Sequence, residues 1–261
     1  MKVLRWIAVS FSMFSRIPMP RFKWEEDDMS QCLTFFPWIG AVIGLLIYGA
    51  GYLYYAFELP FWAVGALILL IPILVTGGFH LDGYMDVKDS LSSFADREKK
   101  LEILKDPNVG SFAIIGIISR IIIAMVSIFM ILLYGNYRSL MVLALIFWNA
   151  RCLSGITSIV FPKAKKSGML YNETKDSGKT IPVALILQLL IGLGLMLFID
   201  YKLGIPMIIA GGLLVFLYKK KTEKEFGGVT GDTAGYFITC FESDMFLLMA
   251  LLLCIFSNFG L

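Results

Sequence analysis

Seven apolar stretches, at about 33–57, 60–79, 110–134, 139–160, 181–200, 205–218 and 237–259, set the terms on which this chain can fold. Most reach the roughly 20 residues that an α-helix needs to cross the hydrocarbon layer. Lipid offers no water to an open N–H or C=O, so segments of this kind must be helices that satisfy their own backbone. The sixth is short and crosses only if Tyr218 and Lys219 extend it toward the polar edge. With 58% hydrophobic residues and a mean hydropathy of +0.77 over 261 residues, the chain lies well beyond the half-apolar make-up of soluble domains. It reads as all-α, a polytopic helical membrane protein of about seven transmembrane helices forming a single unit over 1–261.

Ahead of the first span, Met1 to Phe14 sets Lys2, Arg5, Ser10 and Ser12 among Trp6, Ile7, Val9, Phe11 and Phe14. No small-residue cleavage site follows, so the segment reads as a retained helix lying in the membrane interface, within an N-terminal interfacial segment 1–32. Lys2, Arg5, Arg16, Arg21 and Lys23 precede the first span, and Lys88, Arg97, Lys99, Lys100 and Lys105 fall between the second and third. Lys163, Lys165, Lys166, Lys175 and Lys179 separate the fourth and fifth, and Lys219, Lys220, Lys221 and Lys224 the sixth and seventh. The alternate connections carry only Arg138 and Lys202. The positive-inside rule therefore predicts a cytoplasmic N-terminus and puts every polar cluster of note on the cytoplasmic side. A net charge of +3, distributed by loop and not in a patch, gives no support for a nucleic-acid partner. Cys32, Cys152, Cys240 and Cys254 are too widely spaced for a disulfide framework or a zinc site.

The second apolar stretch runs straight into Thr76, Gly77, Gly78, Phe79, His80, Leu81, Asp82, Gly83, Tyr84, Met85, Asp86, Val87, Lys88 and Asp89. On a helix, positions 82, 86 and 89 fall on one face. Three acids on one stripe repel one another unless a cation sits among them, and Mg²⁺ is held by carboxylates together with substrate phosphates. A solvated acidic face is the plain alternative. The glycines, which allow close backbone approach, and the single histidine of the chain argue against it.

Beyond the stripe, Asp96 to Lys105 reads as a charged cytoplasmic helix that breaks at Asp106, Pro107, Asn108, Val109 and Gly110, completing a cytoplasmic acidic catalytic segment over 80–109. If it folds back, Lys105 and Asp106 face the acids; otherwise Asp106 and Asn108 are turn and cap residues. A second polar run, Gly227, Gly228, Val229, Thr230, Gly231, Asp232 and Thr233, enters the last span. Glycines ahead of a helix expose amides to an anion, and Asp232 suggests a metal or hydroxyl contact beside it. Arg120 and Arg151 interrupt apolar spans, where ionisable side chains usually face a cavity or an acid.

Together these runs resemble cobalamin synthase, the adenosylcobinamide-GDP ribazoletransferase family. Thr76 through Asp89 match its Thr, Gly, Gly, x, His, Leu, Asp, Gly, x, x, Asp, x, x, Asp pattern, and Gly227 through Thr233 match its Gly, Gly, x, Thr, Gly, Asp, Thr pattern. Phe14 to Pro20 and Phe36 to Gly40 resemble two further family segments in the same order. Lys105, Asp106, Pro107, Asn108, Val109 and Gly110 stand where the family tends to have Arg, Asp, Ser, Arg, x, Gly, so two arginines are missing. A lysine replaces charge but not a bidentate fork, and Asn108 replaces neither.

The resemblance implies a multi-pass enzyme of the bacterial or archaeal cytoplasmic (inner) membrane that acts late in cobalamin biosynthesis. There α-ribazole or its 5'-phosphate would displace GMP from adenosylcobinamide-GDP, with Mg²⁺ as cofactor. It implies Asp82, Asp86 and Asp89 as metal ligands, and Asp89, His80, Asp106 and Asp232 as catalytic groups. Lys105, Arg151, Gly228, Thr230 and Gly231 would bind substrate. It also implies association with other late cobalamin-pathway enzymes and leaves a homo-oligomer open. The alternatives are a CDP-alcohol phosphotransferase, whose Asp, x, x, Asp, Gly motif is not matched at position 79, and a transporter, which would place its acids nearer the bilayer midplane.

Overall fold

The computed structural model describes residues 2–20, 23, 26–165, 168–174 and 177–259, without the side chains at 26, 27, 30 and 169. Arg21, Lys166 and Lys175, counted above among the basic connections, lie outside the described residues. Two short helices, α1 (Lys2–Phe14) and α2 (Glu26–Gln31), lead through a 3₁₀ turn (Cys32–Phe35) into α3 (Phe36–Phe57). There follow α4 (Phe61–Thr76), α5 (Phe79–Ser92), α6 (Arg97–Ile103), α7 (Ser111–Tyr134) and α8 (Tyr137–Val160). The chain closes with α9 (Met169–Thr174), α10 (Thr180–Ile199), α11 (Tyr201–Phe226) and α12 (Gly231–Phe259). The protein is a polytopic helical membrane protein: among the described residues, 6 helical segments are long and apolar enough to cross a bilayer, with α3 counted together with its 3₁₀ turn.

The second expected span is where the sequence reading and the structure part. Instead of one helix over 60–79, α4 stops at Thr76 and α5 leaves it at 92°. Gly77 and Gly78 make the corner with φ of 75° and 84°, a left-handed conformation that glycine adopts without a Cβ penalty. The 16 residues of α4 rise about 24 Å at 1.5 Å each, short of the roughly 30 Å hydrocarbon layer, and with α5 they make one further, bent candidate span. The shorter, polar α5 turns across the end of the bundle, outside the apolar segments. Arg16 fixes the corner by donating its N–H to Val75 O at 2.7 Å.

Two further boundaries shift. The expected short span at 205–218 is the middle of α11, which continues for 26 residues through its lysines. Lys and Glu are good helix formers, and the extension is tied down where Lys100 of α6 pairs with Glu225 at 2.5 Å. The last helix begins at Gly231, six residues before the expected start at 237, because Thr230 and Thr233 cap it reciprocally. Thr230 N–H donates to Thr233 Oγ1 at 2.8 Å, and Thr233 N–H to Thr230 Oγ1 at 3.1 Å.

The core runs between α3, α8 and α12, with Ile39, Ile43, Ile47, Leu143, Phe147 and Met249 fully enclosed. The segment α1 does more than lie beside this bundle. Its Val9, Phe11 and Phe14 join the core, Phe14 meets Phe36 at 4.6 Å between ring centres, and Arg5 grips the buried Asp28 with Nη2 to Oδ2 at 2.7 Å.

Candidate active site

The corner at Gly77 and Gly78 aims α5 along the end of α12, and the distance between the two helices is set by a missing side chain. A Cβ at Gly83 would lie 2.8 Å from Asp232 O, so only glycine lets the helices touch there. This contact puts Asp82 and Asp86, one turn apart on α5, beside Asp232 in the first turn of α12. Their charges are felt. Burial, then Asp82, Asp232 and Asp89, push the Asp86 carboxyl up to about 6. Among the described residues no three acidic, histidine or cysteine side chains close around a point as a complete protein cage for a metal. Mg²⁺ seldom uses such a cage, taking one or two carboxylates plus phosphate oxygens and water. Mutually repelling acids on an open face fit that shared mode.

Asp89, the third acid of the stripe, is differently employed. Its Oδ2 accepts Gly110 N–H at 2.5 Å and its Oδ1 accepts Ala113 N–H at 2.7 Å, at the start of α7. Gly110 is the N-cap of that helix and has no side chain to do this itself. Both oxygens expected on a metal or a proton thus close a helix end. Asp106 is likewise not brought to the acids: it is exposed, and its Oδ1 accepts Asn108 N–H at 2.9 Å and Asn108 Nδ2 at 2.7 Å in a turn.

On the other side of Asp232 lies a basic cavity of about 280 Å³, walled by Lys105, Lys163, Lys165, Thr230, Gly231 and Asp232. Lys163 holds the C-terminal end of α8, donating to Ile159 O at 3.1 Å and Phe161 O at 3.0 Å, and Lys165 donates to Leu101 O at 3.1 Å. Burial lowers the pKa of both; for Lys165 the Lys105 charge adds to this while Asp232 opposes it. Gly228 fits the glycine turn against the same connection. A Cβ there would strike Pro162 O at 2.4 Å, and Val229 N–H donates to Pro162 O at 2.8 Å. Gly228 therefore positions the loop, Thr230 caps α12, and Gly231 and Asp232 reach the cavity. In the sequence Lys163 and Lys165 are loop charges that no spacing distinguishes from other lysines.

His80 sits deeper, 6% exposed, with its ring edge-on to Phe36 at 5.9 Å. It is not on a carboxylate: both ring nitrogens are buried without a partner. Arg151 is fully buried and pairs with Glu242 of α12 through Nη1 to Oε1 at 2.5 Å, which places it behind His80 and apart from the lysines. Arg120 pairs with Asp244, and its Nη1 also donates to Ser243 at 2.9 Å. Glu242 and Asp244, acids within an expected span and as legible in the sequence as the two arginines, are thus their partners. A cavity of about 270 Å³ joins His80, Asp82 and Asp232 to Phe14, Ser158 and the buried Glu173 of α9, a residue no sequence motif singled out.

The chain resembles known proteins along nearly its whole length. The family model described as cobalamin-5-phosphate synthase matches residues 6–252. The adenosylcobinamide-GDP ribazoletransferase of Lachnoclostridium phytofermentans is 36% identical over 241 residues, covering 91% of this chain and 90% of that one. Those of Clostridium perfringens strain SM101 and Chlorobium phaeobacteroides are each 32% identical, over 249 and 238 residues, covering 94% and 89% of this chain and 97% and 92% of theirs. No solved structure matches. The acidic corner, the glycine turn and the basic cavity all lie within the matched residues, and the chain belongs to the cobalamin-5-phosphate synthase family.

Proposed function

We propose that this protein transfers α-ribazole, or its 5'-phosphate, onto adenosylcobinamide-GDP with release of GMP, at the cytoplasmic face of the membrane. The observation that carries the reading is the meeting of opposite charges at Asp232: acids from α5 on one side, the cavity of Lys105, Lys163 and Lys165 on the other. A pyrophosphate joining two alcohols needs both, cations on its oxygens and carboxylates for a metal and a proton. Family membership supplies the substrates, and the excess of Lys and Arg in alternate connections supports the cytoplasmic face.

In the reaction a ribose hydroxyl attacks the phosphorus on the cobinamide side; the new O–P bond forms as the P–O bond to GMP breaks. Asp82, Asp86 and Asp232 would hold Mg²⁺ together with the pyrophosphate oxygens. When bound, the ion would neutralise the pyrophosphate and stabilise the departing GMP. One of the same carboxylates accepts the hydroxyl proton. Lys105, Lys163 and Lys165, with the amides entering α12, hold the phosphates, so that most of the rate comes from positioning and charge. Asp89 acts through the fold, by fixing α7 against α5.

The test is direct. Purified protein in liposomes is incubated with adenosylcobinamide-GDP, ribazole phosphate and Mg²⁺, and GMP and corrinoid product are followed by chromatography with a chelator control. Both products should appear in equal amounts and only with metal. Folded protein that releases no GMP would overturn the assignment.

A further inference from the structure

Behind the acidic corner lies a second, half-open chamber of about 380 Å³, between α4, α7 and α12. Its walls are Ile73, Ile117, Ile121, Ala124, Met125 and Phe246, and its polar groups include His80, Arg120, Arg151 and Glu242. The size lies within the roughly 300–1,000 Å³ of small-molecule sites, and the pattern of apolar wall with few polar groups is theirs too. Their pairing is incomplete. Arg151 satisfies Nη1 through Glu242 and Phe147 O, but its Nε and Nη2, and both ring nitrogens of His80, are buried with no partner. Buried donors of a charged group left open cost more than a bond to them gains, so a ligand with lone pairs is called for.

We infer that this chamber takes the aromatic base of the nucleoside substrate, with Arg151 and His80 hydrogen-bonding its ring nitrogen and ribose oxygens. The inference rests on the transferase reading above. His80 supplies the connection, because it lines this chamber and also the cavity of Asp82 and Asp232. A riboside whose flat, apolar base lies among Ile73, Ala124 and Phe246 extends its sugar past His80 toward the carboxylates, where the attacking hydroxyl belongs. The other substrate does not suit the chamber: its pyrophosphate needs the lysines, while Arg151 is already paired with Glu242 and Arg120 with Asp244. A lipid acyl chain would fill the walls but leave Arg151 and His80 open. Ala124, 7% exposed on the wall, is the position at which a larger side chain fills the chamber without touching the acids.

The experiment compares wild type with Ala124→Phe in liposomes, measuring KM for ribazole phosphate and for adenosylcobinamide-GDP separately. Filling the chamber should raise KM for the riboside by about tenfold or more and leave that for the corrinoid within about twofold. An unchanged riboside KM in active Ala124→Phe protein, or an equal rise for both substrates, would overturn the inference. A photoreactive azidobenzimidazole is applied to the wild type in parallel, so that a poorly folding variant does not decide the matter. Labelling of α4, α7 or α12 at chamber residues, competed by ribazole phosphate, supports it; labelling only elsewhere, or labelling competed by phospholipid and not by the riboside, overturns it. Wild type that makes no GMP would instead count against the transferase reading, a distinct result.

Discussion

Replacing Asp89 should damage the fold before it damages the chemistry. Among the described residues its carboxylate is the only side-chain cap for α7, and it accepts two amides at 2.5 and 2.7 Å, the second at the third helical position. Each bond to a charged group contributes about 1.5–3 kcal/mol, and a lost N-cap costs about 0.5–2 kcal/mol, so Asp89→Ala should destabilise by roughly 2–4 kcal/mol. For a chain of this size that corresponds to a fall in Tm of roughly 5–10 °C. Asp89→Asn keeps one carbonyl acceptor and loses the charge that favours a helix N-terminus, and should lose about half as much. The assay pairs tryptophan-fluorescence melting in detergent with GMP release per folded molecule at low temperature. Asp82→Asn is the contrast: its exposed carboxylate caps nothing, so Tm should hold while turnover falls by about 10² or more. An Asp89→Ala protein with unaltered Tm and no turnover would refute the capping role and return this residue to the metal.

Gly83→Ala should cost turnover without loss of insertion, since its Cβ would force Asp232 O, 2.8 Å away, to retreat and open the acid group; a displacement near 1 Å can cost about 10²-fold in rate, read as kcat at matched membrane abundance. Lys165→Met should raise KM for adenosylcobinamide-GDP about tenfold with kcat little altered, and the wild-type KM should itself rise with salt; a drop in kcat alone would speak against a binding role. Arg151→Met leaves Glu242 as an unpaired buried charge and should cost about 3–5 kcal/mol, most of it recovered in the double variant Arg151→Met, Glu242→Leu; additive losses in thermal melts would show that the pair is not coupled. Chelation should stop GMP release and added Mg²⁺ restore it, with Asp86→Asn shifting the Mg²⁺ requirement upward.

The spans were legible in the sequence because lipid leaves a helix no alternative, and the acidic stripe because a period of 3.6 residues can be read from spacing alone. What could not be read was where each carboxylate's lone pairs would go. Asp82, Asp86 and Asp89 share a face, yet one of them meets a helix end 21 residues further on, and that meeting depends on α6 turning the chain back. Asp106 fails for the opposite reason: its local turn with Asn108 satisfies it before anything distant can. The lysines were invisible as a group, since Lys105 and Lys165 are 60 positions apart and become neighbours only through packing.

The two motifs make one site because of a single contact. On α5 alone, Asp82 and Asp86 are a mutually repelling pair of acids with no cation beside them to attract a pyrophosphate. At the start of α12, Thr230, Gly231 and Asp232 alone form a capped helix end. Gly83 against Asp232 O joins them, and the same close approach recurs one turn along α12, where a Cβ at Gly235 would come within 3.1 Å of His80 O. Both glycines therefore act on the distance between acids and lysines. Under the proposed reading the acids would hold a metal and the lysines the phosphates of one substrate, so enlarging either glycine should lower metal affinity and substrate affinity together. A change in only one of the two would mean that the acids and the lysines serve separate ligands.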